Sequence, residues 1–269
     1  VLGSVGTLTA KCAGVPSDPA FEVRVASIDG GPVPLLGGTQ LVPHLAMQDA
    51  GTPDLVVVSA VVSFPGKEEV LPRAVDWLAR KHAAGATLAS VCTGAFALAE
   101  TGLLDGKTAT THWAAADAFR ARHPNVDLQP WRMFTDEGTL FCSAGANAGF
   151  DLALYLVAKL CGRQTALETA RAVVTDPGRD TQRPYEVPDL PRGHRDGAVL
   201  DAQRCIERDF GGELSIAALA RASGLSPRTF ERRFKAATGS TPLRYLQTVR
   251  VEAARRMLET GDEPFDQIT

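Results

Sequence analysis

No apolar run in the chain approaches the ~18 residues that a membrane-spanning helix needs. The longest, at 55–62 and 152–157, suit a buried strand or helix instead. Paired cysteines are missing as well. Cys12, Cys92, Cys142, Cys161 and Cys205 are odd in number and have no C-x-x-C spacing, which excludes a disulfide framework and reads as free thiols in a reducing compartment. The five histidines show no H-x-x-x-H or other paired ligand spacing, so neither a metal nor a cofactor is expected. The first 14 residues lack a basic stretch leading into an apolar core, so no secretory signal is expected and the default compartment is the cytoplasm. There is no internal repeat and no low-complexity tract. With 45% hydrophobic and 22% charged residues and a net charge of −3, the composition excludes a disordered or collagen-like chain. A length of 269 residues is long for one domain and short for three, so two are expected.

What is present changes character once along the chain. Residues 21–28 (FEVRVASI) alternate as a strand does, and 54–62 (DLVVVSAVV) form the apolar, β-branched run of a buried parallel strand. Residues 68–84 are an amphipathic helix with Val70, Leu71, Ala74, Val75 and Leu78 on one face. A strand at 87–91, a helix at 93–100, a strand at 108–111 and a helix at 113–122 follow. A hairpin is expected from 133–136 and 139–142 around Glu137-Gly138, and a buried helix at 149–160. Such alternation predicts a flavodoxin-like α/β domain, a mostly parallel sheet with helices on both faces, over residues 1–175. Between 176 and 194 prolines and glycines break every period, which predicts a linker. Residues 195–269 then read as a smaller all-α domain with helices at 198–210, 216–222, 227–237 and 242–259.

Within that second domain, 216–238 reads IAALARASGLSPRTFERRFKAAT. Gly224 permits a left-handed turn, Leu225 plugs the core, Ser226 is an N-cap and Pro227 takes the first helical position. Phe230 and Phe234 point inward at i, i+4, while Arg228, Thr229, Glu231, Arg232, Arg233 and Lys235 share the outer face. A helix–turn–helix with a basic second helix is the arrangement that enters a major groove. Residues 226–256 carry a net +6 and leave −9 on the remainder, the footprint of a duplex binder. On charge alone, a solvated helix face is the alternative.

In the first domain, 86–96 reads ATLASVCTGAF: a strand, a cysteine, then small residues opening a helix. That layout sets Cys92 on a strand-to-helix turn, at a helix N-terminus that favours thiolate. His112 follows the next strand, and a Cys/His pair is the minimum for nucleophilic catalysis. From spacing alone, a buried cysteine and an internally bonded histidine are the favoured reading.

Two stretches carry family resemblances. Residues 225–246 (LSPRTFERRFKAATGSTPLRYL) resemble the first helix–turn–helix of AraC/XylS-type regulators, and VRVEAARRMLETGD after them resembles that family's connecting helix. The resemblance implies base contacts by Arg228, Glu231 and Arg232, and phosphate contacts by Arg233, Lys235 and Arg250. Residues 89–113 (ASVCTGAFALAETGLLDGKTATTHW) resemble the ThiJ/PfpI-type domain related to class I glutamine amidotransferases, with Cys92 and His112 in its cysteine and histidine positions. Residues 143–149 (SAGANAG) resemble the stretch that closes the ligand pocket there, so the implied pocket comprises Cys92, Thr93, Gly94, His112, Ser143, Ala144 and Gly145. Together the two domains are similar to GlxA-like regulators, the AdpA type among them.

Several features depart from those patterns. Thr93 stands where hydrolytic relatives often place a histidine, and no acidic partner for Cys92 is recognisable before Pro19; Asp18 and Glu22 lie outside that motif. The chain ends at PFDQIT, where a second helix–turn–helix would start, so an incomplete DNA-binding domain is expected. The implied function is a non-enzymatic transcription regulator that binds double-stranded promoter DNA as a homodimer and senses a small-molecule effector, with no membrane partner. The alternatives are a Cys-dependent hydrolase, amidase or hydratase using Cys92 and His112, and a redox sensor at Cys92. Cys142 is read as a buried structural thiol that could instead line the pocket. Cys161 and Cys205 are read as packing thiols, Trp77, Trp113 and Trp131 as core or rim aromatics, and Asp151 as a carboxylate suited to a helix N-terminus.

Overall fold

Alternation along two strands decides how the first part of the molecule is layered. The computed structural model describes residues 2–5, 19–35, 37–60, 70–145, 147–186 and 190–261. It divides into two units, Val1–Glu186 and Val187–Thr269. In the first, β1 (Leu55–Val58), β2 (Thr87–Val91), β3 (Phe134–Asp136) and β4 (Leu140–Ser143) form one sheet in the order β1-β2-β4-β3. The β1–β2 and β2–β4 pairs are parallel, and β3 returns antiparallel to β4 as a hairpin. Leu140 pairs with Leu88, and Phe141 with Ala89.

Because successive side chains point to opposite faces, those pairs feed two cores. Leu88, Leu140 and Cys142 pack with α1 (Val70–Ala83), α2 (Gly94–Glu100) and α3 (Ala116–Arg122) through Leu78, Leu98 and Phe119. Ala89 and Phe141 pack on the other face against Leu152 and Leu156 of α4 (Ala148–Cys161). Helices therefore cover both faces of a mostly parallel sheet, the flavodoxin-like α/β layering that the sequence predicts. The 108–111 strand is shorter than expected: Thr108–Ala109 pairs in parallel with Asp127–Leu128, apart from the main sheet.

Other expectations need correction. Of the strand read at 21–28, only Ala26–Ser27 pairs, with Leu45–Ala46. Alternation supplies a face but not a partner, and Val23 is left 50% exposed. The helix read at 113–122 opens as a 3-10 turn, Trp113–Ala115, before α3. Residues 61–69, which carry the end of one expected strand and the start of one expected helix, lie outside the described residues. A helix the periodicity did not reveal, α5 (Arg163–Ala172), follows α4 directly through Gly162 at φ 91°.

Among the described residues of 176–194 there is no α-helix, but a 3-10 turn forms at Arg183–Tyr185 and Thr181 bridges to Arg132, so the segment is bound to its surroundings. Arg179 donates to Asp151 (Nη2–Oδ2 2.6 Å, Nε–Oδ1 3.2 Å) and buried Gln182 is tied into the first unit. On the other side Gln203 Nε2 donates to Pro191 O (2.8 Å), and Leu190 packs against the second core.

The second unit consists of α6 (Gly197–Asp209), α7 (Ile216–Ala222), α8 (Pro227–Thr238) and α9 (Pro242–Thr260). Each opens on a side-chain cap. Asp196, Ser215, Ser226 and Thr241 accept from the N–H of Val199, Ala218, Thr229 and Arg244. Inward stripes from all four helices meet in one core of Val199, Ile206, Leu219, Phe230, Phe234 and Tyr245. The Phe234 and Tyr245 rings meet edge to face at 5.3 Å. No helix among the described residues is long and apolar enough to cross a membrane.

Candidate ligand site and candidate nucleic-acid interface

Cys92 follows β2 and precedes α2 at φ 59°, a left-handed conformation that a residue with a Cβ adopts only when its surroundings impose it. Three bonds impose it here. The Cys92 N–H donates to Ser143 O (3.1 Å) and Ala144 O (2.9 Å), while Thr111 Oγ1 donates to Cys92 O (2.9 Å). Gly94, the first residue of α2, lets the helix meet the end of β1: a Cβ there would lie 2.5 Å from Val58 O and 2.6 Å from Ser59 O. The strand-to-helix turn expected from ATLASVCTGAF is thus present, held through the backbone N–H and carbonyl of Cys92.

His112 comes to the same place. A Cβ on Gly145 would lie 2.9 Å from His112 Cδ2, so the ring packs directly on that glycine. The imidazole is already committed on one side, where Nδ1 accepts from the Ala114 N–H (3.1 Å) and caps the 3-10 turn. An accepting Nδ1 leaves the proton of the neutral ring on Nε2, which makes that atom a donor rather than a base. Ser143 and Ala144 hold the elbow through their carbonyls. The Ser143 hydroxyl donates to Ser90 O (3.2 Å), and both residues are fully buried. Ala146, inside SAGANAG, lies outside the described residues.

Cys142 belongs to the core, where burial pushes its thiol up against the weaker opposing pull of Ser90, Thr110 and Thr135. Among the described residues no group of three or more His, Cys, Asp or Glu side chains is placed to hold a metal ion.

Gln182 had no signal in the sequence. It is buried, its Nε2 donates to Thr111 O (2.8 Å) and to Pro130 O, and its Oε1 accepts from the Trp113 N–H (3.2 Å). It thereby fixes the segment that carries His112 from a position some 70 residues away in the chain.

A cavity of about 830 Å³ lies elsewhere in this unit, between α4, α5 and residues 177–183. None of Cys92, Thr93, Gly94, His112, Ser143, Ala144 and Gly145 lines it. Residues from 131 to 183 do, brought together by the Arg179–Asp151 pair.

In the second unit, Gly224 takes φ 66° between α7 and α8, and Ser226 caps α8 ahead of Pro227, the turn that the sequence predicts. Phe230 and Phe234 are fully buried, which turns Arg228, Glu231, Arg232 and Lys235 outward to solvent. Thr229 is half-buried, accepting at Oγ1 from Ser226 (2.9 Å).

Two basic residues expected at phosphates are engaged within the domain. Arg233 forks onto Asp196 (Nη2–Oδ1 2.6 Å, Nε–Oδ2 2.8 Å), joining α8 to the cap of α6. The Arg233 guanidinium holds the Asp196 carboxyl below its ordinary range, overcoming the opposing effect of burial. Arg250 donates to Phe210 O and Gly212 O, both at 2.8 Å, and so closes the end of α6. Sequence places each on a basic helix, but the fold brings the Asp196 cap within reach of Arg233 and the carbonyls that follow α6 within reach of Arg250.

Comparison with known proteins covers both units. The model of the DJ-1/PfpI family matches residues 15–159, and that of a helix-turn-helix domain matches 219–269. The HTH-type transcriptional regulator CdhR of Pseudomonas aeruginosa is 32% identical over 250 residues, 93% of this chain and 74% of the relative. The isonitrile hydratase of Pseudomonas putida is 33% identical over 65% of this chain and 77% of its own length. Among solved structures, an AraC family transcriptional regulator from Pseudomonas putida superposes with a TM-score of 0.53 at 25% identity, over 65% of this chain and 90% of that one.

Proposed function

The chain belongs to the DJ-1/PfpI family and joins that domain to a helix-turn-helix unit, and on this footing we propose that it regulates transcription from promoter DNA. The observation that carries the reading is the outer face of α8. Arg228, Glu231, Arg232 and Lys235 stand exposed on a helix whose opposite face is locked by two buried phenylalanines, in a chain that is otherwise acidic. Arg228, Glu231 and Arg232 would meet base edges and Lys235 a phosphate. Arg233 and Arg250 would support the reader from behind. The α/β unit would supply the response to a small-molecule effector and the contacts of a homodimer, in the cytoplasm.

Salt-dependent binding to duplex DNA tests this. The full chain should lose affinity steeply as salt rises. The triple variant Arg228→Ala/Arg232→Ala/Lys235→Ala should flatten the slope by roughly 0.9 log units per phosphate contact removed. A slope unchanged by that variant would remove α8 as the reader.

A second reading, thiol-dependent hydration, is favoured by Cys92 on its held elbow and by the likeness to the isonitrile hydratase. Against it stands His112, whose Nδ1 is occupied by the Ala114 N–H. We therefore read the elbow as non-catalytic. Isonitrile hydration by the full chain, lost in Cys92→Ser, would replace that reading; turnover no higher than in Cys92→Ser would uphold it.

A further inference from the structure

We propose that the cavity between α4, α5 and residues 177–183 binds a small organic carboxylate. The inference deepens the effector part of the proposed function and rests on it only for the regulatory consequence.

The charges lining the cavity come from Arg132, Arg163, Arg179 and Arg183 against Asp151 and Asp180. Arg179 and Asp151 satisfy each other, since both carboxylate oxygens of Asp151 accept from the one guanidinium (2.6 and 3.2 Å) and the carboxylate is almost fully buried. That pair contributes a fixed wall and no net charge. Arg132, Arg163 and Arg183 remain exposed, against the one exposed carboxylate of Asp180. They converge from three places, namely the approach to β3, the first residue of α5 and a 3-10 turn at Arg183–Tyr185. The Arg183 guanidinium lies 5.7 Å from the centre of the Trp131 ring, a cation–π contact that leaves its N–H donors for a ligand. A guanidinium presents a planar fork that matches a carboxylate with two parallel bonds. An excess of such forks in a recess favours an anion and repels a cation.

The remaining wall is apolar. Phe134, Leu154, Ala158 and Leu167 line it, and the Tyr155 ring stacks 4.7 Å from that of Phe134. The Tyr155 hydroxyl donates to Asp136 (2.5 Å), so it is the ring of this residue that is left for a ligand. At about 830 Å³ the recess falls within the range of small-molecule sites. Cationic forks beside an apolar wall fit a carboxylate carried on a hydrocarbon body, whereas inorganic phosphate has the charge and no use for the wall.

Position gives the site its consequence. The segment that supplies Arg179, Asp180, Thr181 and Arg183 is the last part of the first unit, which ends at Glu186. A ligand bridging Arg183 to Arg163 would hold this segment to α5 and so fix the root of the connection to the DNA-reading unit.

Calorimetric titration of the full chain with acetate, hexanoate, phenylacetate and glutarate, with inorganic phosphate beside them, tests the proposal. At least one of the carboxylates with a hydrocarbon body should bind saturably and more tightly than phosphate or acetate. Arg163→Ala and Arg183→Ala, both at exposed positions, should each weaken it about tenfold while leaving the melting temperature in place. Absence of saturable binding by all four acids overturns the proposal, as does binding unchanged in both arginine variants. Binding that survives both variants and disappears in Cys92→Ser places the ligand at the elbow and overturns it too. The titration contains no DNA, so its failure leaves the reader face of α8 standing, and a failure of DNA binding leaves the cavity standing.

Discussion

Replacing Gly94 by alanine puts the close approach between β1 and α2 to a quantitative test. The new Cβ would lie 2.5 Å from Val58 O and 2.6 Å from Ser59 O, against the 3.4–4 Å of ordinary contact. Neither neighbour is a side chain that can swing away. Val58 is paired through the ladder with Ser90, two residues before Cys92, so a shift of nearly an ångström must move either the sheet edge or the start of α2. Overpacking of this kind costs about 1–3 kcal/mol, and the unyielding backbone places Gly94→Ala in the upper half of that range. The gain in helix propensity offsets at most about 1 kcal/mol, and less at the first position of the helix. A net loss of about 1–2 kcal/mol in a unit of this size lowers its melting temperature by roughly 2–8 °C. Differential scanning calorimetry of the full chain is the assay. Gly149→Ala is the control, because its Cβ would meet only the Val91 side chain, at 3.3 Å, which can give by a few tenths of an ångström. A Gly94→Ala protein as stable as the parent, or more stable through its stiffer unfolded chain, would refute the close-approach reasoning.

Three further outcomes follow from other parts of the structure. Gln182→Ala strips the partners from Thr111 O and the Trp113 N–H in a buried setting. About 1–3 kcal/mol should be lost from the first unit, with faster hydrogen exchange at the Trp113 amide; an unchanged exchange rate there would count against Gln182 as the clasp. Asp196 has a folded pKa below its ordinary 3.8, chiefly through the Arg233 bond, so its contribution is present above that value and is lost as pH falls through the lower, folded one. Acid denaturation of the second unit, followed by circular dichroism, should therefore show a shallower acid limb in Asp196→Asn, and identical limbs would disconnect the pair from acid stability. Native-state alkylation read by mass spectrometry should modify Cys142 last among Cys92, Cys142, Cys161 and Cys205, since Cys142 alone of these is fully buried, in an environment that raises its thiol pKa; early modification of Cys142 would contradict its place in the core.

The parts of the fold legible in sequence are those whose causes are local. Ser226-Pro227 and Gly224 specify a cap and a turn by their own chemistry, and Phe230 and Phe234 specify a face by their spacing, so α8 could be placed residue by residue. The Cys92 elbow was legible because an apolar strand running into Thr93-Gly94-Ala95 leaves few other ways to turn. By contrast, α5 buries only Ala166, Thr169 and Ala170, and small residues give little hydrophobic period to detect. It also lacks a side-chain cap, starting from Gly162. Residues 21–28 failed in the opposite sense, with a clear period but, among the described residues, only the two-residue Leu45–Ala46 to pair with. The cavity and the Gln182 clasp join residues near 131 to residues near 182, and only the folded chain sets that distance. The engagement of Arg233 and Arg250 was equally hidden, because a basic side chain on a helix face carries no mark of which acceptor it will find.

That last distinction bears on both candidate sites. At the elbow, every bond that enforces the left-handed backbone of Cys92 uses main-chain atoms of that residue: its N–H reaches Ser143 O and Ala144 O, and its carbonyl accepts from Thr111. None of these bonds uses the sulfur, so the frame would hold another small side chain in the same place, and chemistry at the thiol depends on what His112 Nε2 and a ligand supply. On α8 the frame is likewise set elsewhere, by the phenylalanines beneath it and by Arg233 on Asp196. The side chains left over there, Arg228, Glu231, Arg232 and Lys235, are charged, outward and on a rigid helix, which is enough for an electrostatic and hydrogen-bonding reader. The side chains left over at the elbow are a thiol and an imidazole whose Nδ1 is occupied, which falls short of a catalytic pair. In each unit the backbone frame is fixed independently of the side chains it presents, four charged ones on α8 and a thiol beside a committed imidazole at the elbow.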